Sequence, residues 1–352
     1  MRILYITHLS YSNASGVRVA MLQLMEAMRD YAEISWLDLS RNEFTEINGV
    51  EREYDEKCRL HRPDIAVFEN PFSSLKFTSI AADLRKEGIP YIIAPHGSFH
   101  QIALQRNRLK KKIAVATVFH RFLYNCSATQ FLNEEEKKES FCPGQSIIIP
   151  NGIYLPGETK YRERKQIRNL VFIGRKDVHN KGLDILLEAC LENRMLLEEK
   201  HVTLKLYGPV EPQKPEDNEY ITDFINDHHL QRNIMNCEAV FGAEKEKTLI
   251  GADLFIQVSR HEGMPMGILE AFSYGLPVII SSGTNLQDEV NKAGSGWVTD
   301  IDKHSVAKAM EAAILSSDCE VKCKRSRKLA ESFSWQRICE ITMEEYQKVI
   351  HK

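Results

Sequence analysis

Short apolar runs alternate with amphipathic stretches along most of the chain. In the first half the runs are residues 3–7, 34–37, 65–68, 91–94, 128–132 and 146–150. In the second half they are 169–173, 203–207, 234–240, 254–258 and 277–280. Each is four to seven residues long, and runs such as 254–258 and 278–280 are apolar without alternation, as expected for strands covered on both faces. Between them lie helical patterns. One runs through Val19, Leu22, Leu24, Met25 and Met28 after a polar loop, residues 10–16. Another spans residues 75–86 and stops near Gly88 and Pro90, and a last one covers about 337–350. Strands alternating with helices predict βαβ units and parallel sheets. Such units are right-handed, and their ligands sit beyond the carboxyl ends of the strands.

The length of 352 residues favours two domains. Residues 155–168 are polar, charged and carry Pro156 and Gly157, which places the boundary there. The expected fold class is α/β: two doubly wound, Rossmann-like domains facing across a cleft. Their expected extents are 1–155 for the N-terminal domain and 165–332 for the C-terminal domain. The segment 333–352 is expected to be a C-terminal helix. No repeat is visible at the level of sequence.

The stretch 259–282 is the most informative. It reads as a loop, a short helix, a turn and a buried strand. Pro265 suits the first helical position, where its missing N–H costs nothing. Gly275 suits the left-handed residue after the helix, and Pro277 stops continuation. The amides of Met266, Gly267 and Ile268 would point at an anion placed at the helix start. Glu262 and Glu270 flank that start. Either could hold hydroxyls of a phosphorylated ligand, and either could simply favour the helix dipole.

Composition narrows the function classes. A hydrophobic fraction of 43% and a charged fraction of 27% are ordinary for a globular protein. The net charge of −3 gives no reason for a nucleic-acid partner. The eight cysteines are scattered, with Cys319 and Cys323 the closest pair, which argues against a zinc site or a disulfide framework. A reducing cytosol is the expected compartment. The first residues are too soon interrupted by polar groups for a signal peptide, and no apolar run approaches the ~20 residues of a spanning helix. No metal-ligand spacing, phosphate-loop motif, Gly-x-Ser-x-Gly elbow or Gly-x-Gly-x-x-Gly fingerprint is present.

Other candidates stand at strand ends. Gly174, Arg175 and, a turn later, Lys181 follow residues 169–173, and Gly208 follows 203–207. Two cations near a helix N-terminus could neutralise a diphosphate, and both could equally be surface residues. His96 in Pro95-His96-Gly97 reads as a structural residue or as a ligand contact. Gly16 reads as a turn glycine or as a point of close approach. A basic cluster, Arg106, Arg108, Lys110, Lys111 and Lys112, precedes the apolar positions Ile113, Val115, Val118 and Phe119. It reads as an ordinary amphipathic helix or as a dock for an anionic membrane surface.

These motifs together resemble the retaining glycosyltransferases of family 4, which have the GT-B fold. Residues 262–278 are similar to that family's Glu-x7-Glu signature followed by Glu-Ala-x-x-x-Gly-x-Pro-Val. Phe172-Ile173-Gly174-Arg175 with Lys181-Gly182, Pro150-Asn151-Gly152, Ala252-Asp253-Leu254-Phe255 with Ser259, and Pro95-His96-Gly97 match further segments in order. The resemblance covers nearly the whole chain. It implies that Arg175 and Lys181 hold the donor's diphosphate. It implies that Glu262 binds the donor sugar, with the backbone of Gly263, Met264 and Pro265 beside it. The amides of Met266, Gly267 and Ile268 would meet the phosphates, and Glu270 the ribose. Gly174 and Gly208 would border the donor. His96 would contact the sugar from the other domain, and Gly16 would let its loop approach. The final helix would cross back to the N-terminal domain.

Two departures stand out. Ser15-Gly16 replaces the usual Gly-Gly, and Gly263-Met264-Pro265 replaces Gly-Phe-Gly, so that Pro265 removes an amide. The implied activity is metal-independent transfer of a hexose from a nucleoside diphosphate sugar to a hydroxyl of a glycan or lipid-linked glycan. A UDP-sugar is favoured over a GDP-sugar, no cofactor is expected, and the product would be a cell-surface polysaccharide. The expected location is cytoplasmic, peripheral on the inner face of the membrane if the basic cluster docks there. A UDP-sugar 2-epimerase of the same fold and a non-catalytic sugar-nucleotide-binding protein are the alternatives.

Overall fold

In the computed structural model the described residues are 1–8, 16–40, 62–99, 117–157, 162, 164–211 and 213–351. The chain divides into two units, Met1–Gly152 with Trp335–Lys352, and Ile153–Ser334. The second unit thus starts earlier than residue 165, and the last helix belongs with the first unit.

The first unit runs β1 (Arg2–Thr7), α1 (Gly16–Met28), β2 (Glu33–Asp38), β3 (Ile65–Glu69), α2 (Lys76–Lys86) and β4 (Tyr91–Ala94). It continues with α3 (His120–Tyr124), β5 (Ala128–Phe131), α4 (Glu134–Lys138) and β6 (Ser146–Ile148). The second unit holds β7 (Asn169–Ile173), α5 (Leu183–Glu192), α6 (Arg194–Glu199), β8 (Thr203–Tyr207), α7 (Glu216–Asp227) and β9 (Ile234–Cys237). Then follow α8 (Gly242–Gly251), β10 (Leu254–Gln257), α9 (Met266–Ser273), β11 (Val278–Ser281) and a 3-10 turn at Ser282–Thr284. The unit closes with α10 (Gln287–Ala293), β12 (Gly296–Thr299), α11 (Lys303–Ile314) and α12 (Cys319–Glu331). The last helix, α13 (Trp335–Ile350), belongs to the first unit.

Both sheets are parallel and six-stranded among the described residues. Their orders are β2-β1-β3-β4-β5-β6 and β12-β11-β10-β7-β8-β9. The strand order reverses between β1 and β3 in the first sheet and between β7 and β10 in the second. Those reversals leave a crevice at the carboxyl ends, the usual ligand position in such sheets.

The strands were legible because both faces are covered. In β1, Ile3 and Tyr5 join one core with Met21 and Met25 of α1 and Ile338 and Tyr346 of α13. Leu4 and Ile6 point the other way and join Phe68, Phe77, Tyr91 and Phe122. In the second unit Leu170, Phe172, Leu204, Leu254 and Ile256 pack on Leu183, Leu186, Val306 and Met310. The sequence reading lacks β12. That strand is short, opens on a glycine and is only partly buried, so it has no apolar run to announce it.

Glycines fix two close approaches. A β-carbon on Gly152 would lie 2.2 Å from the Trp335 ring, so Pro150-Asn151-Gly152 seats directly on the start of α13. Gly275 has φ of 65° and ends α9 with Gly275 N–H donating to Phe272 O at 2.8 Å and Leu276 N–H to Ala271 O at 2.9 Å. This is the left-handed helix stop expected there.

Candidate active site

The second unit's site is built at the strand-order reversal. Gly174 and Arg175 follow β7, and the loop 258–265 follows β10. Gly208 comes so close to the first of these that a β-carbon on it would lie 1.6 Å from Gly174 O. Gly267 lies against the same strand end, its β-carbon position 3.1 Å from Ile173 O. Gly174, Gly208 and Gly267 are therefore neighbours across three elements.

Glu262 and Lys181 meet. Lys181 Nζ donates to Glu262 Oε1 at 2.5 Å, and both side chains are 15% exposed. Ser259 Oγ donates to the same oxygen at 2.7 Å and Gln257 Nε2 at 3.0 Å. The backbone of Glu262 is held too. Its N–H donates to Gly283 O at 2.8 Å, and its carbonyl accepts from Asn285 Nδ2 at 2.7 Å. One carboxylate oxygen thus takes three donors, one of them charged, which fixes its direction.

Lys181 is placed by a tight turn. Its N–H donates to Asp177 O at 2.9 Å, and Asn180 donates from its backbone and side chain to the Asp177 carboxylate. Burial pushes the Asp177 carboxyl up, but the Asn180 amide and the Lys214 ammonium outweigh it and hold it below its ordinary value. Gly182 follows with φ of 64°, and a β-carbon there would lie 2.1 Å from Val258 O. Only glycine lets α5 start so close to β10. Arg260 fastens this turn to the Glu262 loop. Its guanidinium donates to both oxygens of Asp184 at 2.8 and 2.7 Å and to His179 O at 2.6 Å.

The helix start differs in detail from the sequence expectation. Pro265 is the N-cap of α9, with φ of −75° and ψ of 118°, and Met266 is the first helical residue. The proline is extended rather than helical, so its missing amide falls just outside the helix. The Ile268 N–H donates to Pro265 O at 3.1 Å and is engaged within the first turn. The amides of Met266 and Gly267, which precede it, belong to the first turn of α9, where the helix itself supplies no acceptor. Met264, Met266 and Ile268 are buried, while Gly263 is partly exposed.

Two other residues of the sequence reading are held by partners. Arg175 forms an ion pair with Glu211, and its side chain stays 48% exposed. Glu270 forms an ion pair with Lys245 of α8. Neither partner was visible in the sequence, since each comes from another element and follows no helical spacing. Gln257 and Asn285 were missed for the same reason. Ser259 was noticed only as part of a motif.

In the first unit, His96 follows β4 with φ of 47°, and its Nε2 is paired with the Glu69 carboxylate. Burial pulls the His96 ring toward lower pKa, but the charges of Glu69 and Glu136 and the Glu69 hydrogen bond prevail and raise it. A water-sized cavity of ≈ 10 Å³ lies beside the pair, lined also by Met21, Gln130, Asn151 and Trp335. Gly16 opens α1 with no atom within 4 Å of its β-carbon position. The rest of its loop and the basic cluster 106–112 lie outside the described residues. Among the described residues there is no group of three His, Cys, Asp or Glu side chains placed to hold a metal ion. None of their helices is long and apolar enough to cross a membrane.

Two Rossmann-like units with this topology define the GT-B fold. Anabaena Alr3699/HepE in complex with UDP shares it at a TM-score of 0.75, with 13% identity over 99% of this chain and 100% of that one. Residues 167–316, within the second unit, match the family model described as Glycosyl transferases group 1. The resemblance read from the motifs is borne out. Among curated relatives, the MMP alpha-(1->4)-mannosyltransferase of Mycolicibacterium hassiacum is 26% identical over 59% of this chain and 49% of its own length. A GDP-mannose:cellobiosyl-diphosphopolyprenol alpha-mannosyltransferase of Xanthomonas oryzae is 22% identical over 74% of this chain and 68% of its own. The match therefore spans about half the length of the first relative and about two thirds of the second.

Proposed function

We propose that the protein transfers a hexose from a nucleoside diphosphate sugar to a hydroxyl of a glycan or lipid-linked glycan, with retention at the anomeric carbon. The observation that carries this reading is the Lys181–Glu262 pair beside the α9 N-terminus. A diphosphate placed there meets the Met266 and Gly267 amides, the Lys181 ammonium and the exposed Arg175 guanidinium. The free oxygen of Glu262 is left to accept from sugar hydroxyls. Glu270, shared with Lys245, takes the ribose hydroxyls.

In this reading the bond from the anomeric carbon to the β-phosphate oxygen breaks. The bond to the acceptor oxygen forms on the same face, and the acceptor proton passes to the departing phosphate. Lys181, Arg175 and the helix amides stabilise the charge that grows on that phosphate, in place of a metal ion. The base is either of two. The sequence resemblance favours UDP and a structural neighbour binds UDP, whereas a curated relative is named for GDP-mannose. The basic cluster Arg106–Lys112 is assigned to docking on an anionic membrane. Co-sedimentation with phosphatidylglycerol vesicles that is unchanged on replacing those residues by glutamine would remove that assignment. A panel of UDP- and GDP-hexoses, scored by released nucleoside diphosphate and product mass, tests the reaction. Formation of an epimerised donor without acceptor would convert the reading to a 2-epimerase.

A further inference from the structure

Arg164 is a buried cation of the second unit that makes no hydrogen bond to a carboxylate among the described residues. Only 2% of it is exposed, although it lies in the polar stretch 155–168. Each nitrogen of its guanidinium donates to backbone carbonyls instead. Nε donates to Ala252 O at 2.7 Å. Nη1 donates to Arg162 O at 3.0 Å and to Tyr274 O at 3.3 Å. Nη2 donates to Leu249 O and Ile250 O, both at 3.3 Å.

Most of these acceptors belong to two helix ends. Leu249 and Ile250 lie in the last turn of α8 and Ala252 is its C-cap, while Tyr274 is the C-cap of α9. The last carbonyls of a helix have no partner within it, and the negative end of its dipole lies there. One guanidinium therefore satisfies orphan carbonyls of both helices and sits where both dipoles favour a positive charge. Hydrogen bonds at all three nitrogens are what a buried cation needs. Burial still lowers the Arg164 pKa, helped by Arg162 and opposed by Cys323 and Asp253. Arg162 completes the end of α8, donating from Nη2 to Gly251 O at 3.3 Å and to Ala252 O at 3.0 Å. The Asp253 carboxylate beside them is engaged by Arg162 and by the amides of Arg168 and Asn169.

The same two helices meet again nearer their starts. Lys245 stands near the start of α8 and Glu270 midway along α9, and their side chains form an ion pair. Helix α8 leads from β9 to β10, and α9 from β10 to β11. Both therefore start at the carboxyl edge of the sheet, where the crevice lies, and stop at the opposite edge. The helices are tied at two levels: by Lys245–Glu270 toward the site and by Arg164 at the far edge. We propose that Arg164 is a positioning residue that fixes α8 in register with α9 and so sets the Lys245–Glu270 pair that presents a carboxylate to the ribose of the bound nucleotide. This rests on the assignment of Glu270 to the ribose in the proposed reaction. Lys245 aims the Glu270 carboxylate, α8 carries Lys245, and Arg164 holds α8 against α9. The start of α9 and Lys181 lie outside this chain of contacts, so the grip on the diphosphate does not depend on it.

The test uses the full chain and titration calorimetry with UDP and GDP, each compared with its 2′,3′-dideoxy form. Wild type is expected to bind the ribonucleotide about tenfold more tightly than the dideoxy form, the worth of a hydrogen bond to a charged group. Arg164→Lys keeps the charge but cannot span two helix ends. In that variant the preference is expected to fall to about threefold or less, chiefly because ribonucleotide binding weakens. Lys245→Met, at the other tie, is expected to lower the preference likewise. In turnover assays Arg164→Lys raises donor KM more than it lowers kcat. A general loosening of the unit would weaken both nucleotide forms alike and leave the preference unchanged, and that result in Arg164→Lys would overturn the proposal. Failure of Arg164→Lys to fold would also overturn it, since the guanidinium would then serve the fold rather than the site. A wild type that shows no preference for the ribose would defeat the assignment of Glu270, and the proposal with it. That failure is seen before any substitution is made, which separates it from a failure of Arg164 alone.

Discussion

Lys181 Nζ and Glu262 Oε1 lie 2.5 Å apart although 81 positions separate them in the chain. The pair joins the turn after β7 to the loop after β10, at the reversal of strand order. It therefore serves two purposes: it sets the direction of the carboxylate, and it brings a cation to the start of α9. Replacing Lys181 by methionine is expected to reduce kcat by about 10²-fold or more, because charge growing on the leaving phosphate loses its partner. Ser259 and Gln257 still satisfy Glu262, so the stability cost is expected to be only about 1–2 kcal/mol by urea unfolding. A variant that kept full turnover would contradict the role given to Lys181.

Gly208 and Gly16 make a contrasting pair. A β-carbon on Gly208 meets the Gly174 carbonyl at 1.6 Å, whereas one on Gly16 meets nothing within 4 Å. Gly208→Ala is expected to destabilise the second unit by about 3 kcal/mol or more, since neither backbone can yield freely. Gly16→Ala is expected to stay within about 0.5 kcal/mol of wild type and to lower activity if the loop approaches substrate. Thermal melts of both variants, with turnover for the second, check this. Equal melting temperatures for the two would be incompatible with the geometry.

Arg260 holds the Lys181 turn against the Glu262 loop through both oxygens of Asp184. Arg260→Lys keeps the charge but loses the two parallel bonds. Its expected effect is a rise in donor KM of about tenfold with a modest loss of stability, about 1 kcal/mol. Arg260→Lys and Asp184→Asn combined should cost little more than either alone, because they remove one interaction. Additive losses in that double-mutant cycle would show the pair to be uncoupled.

The His96–Glu69 pair also makes stability depend on pH. The folded-state pKa of His96 is raised above its unfolded value of about 6.5. The stabilisation from protonating the folded ring is then fully present below about pH 6.5 and fades as pH rises through the folded value. The difference in melting temperature between wild type and Glu69→Gln should accordingly be largest near pH 6 and shrink toward pH 9. A difference that grows with pH would reverse the sign argued here.

Most of the fold was legible because the central strands of both sheets are covered on both faces, so they stand out as apolar runs such as residues 91–94 and 254–257. The edge strand β12 was not, since its burial is partial. Within the site, Gly275 was readable because a helix stop needs a left-handed residue whatever the fold. Pro265 was misplaced by one position, since N-cap and first-turn prolines look alike in sequence. The pairs Lys245–Glu270, Arg175–Glu211 and His96–Glu69 were invisible. Each joins charges from different elements, and only the arrangement of the sheet brings them together.

The central claim is that the start of α9, with Lys181 and Arg175, binds a nucleoside diphosphate. Titration calorimetry of wild type, Lys181→Met and Arg175→Ala with UDP and with GDP measures this most directly. The account predicts that wild type binds at least one of the two, and that each substitution weakens that binding about tenfold or more while the protein remains folded. Absence of binding to both nucleotides, or equal binding by all three proteins, would contradict it.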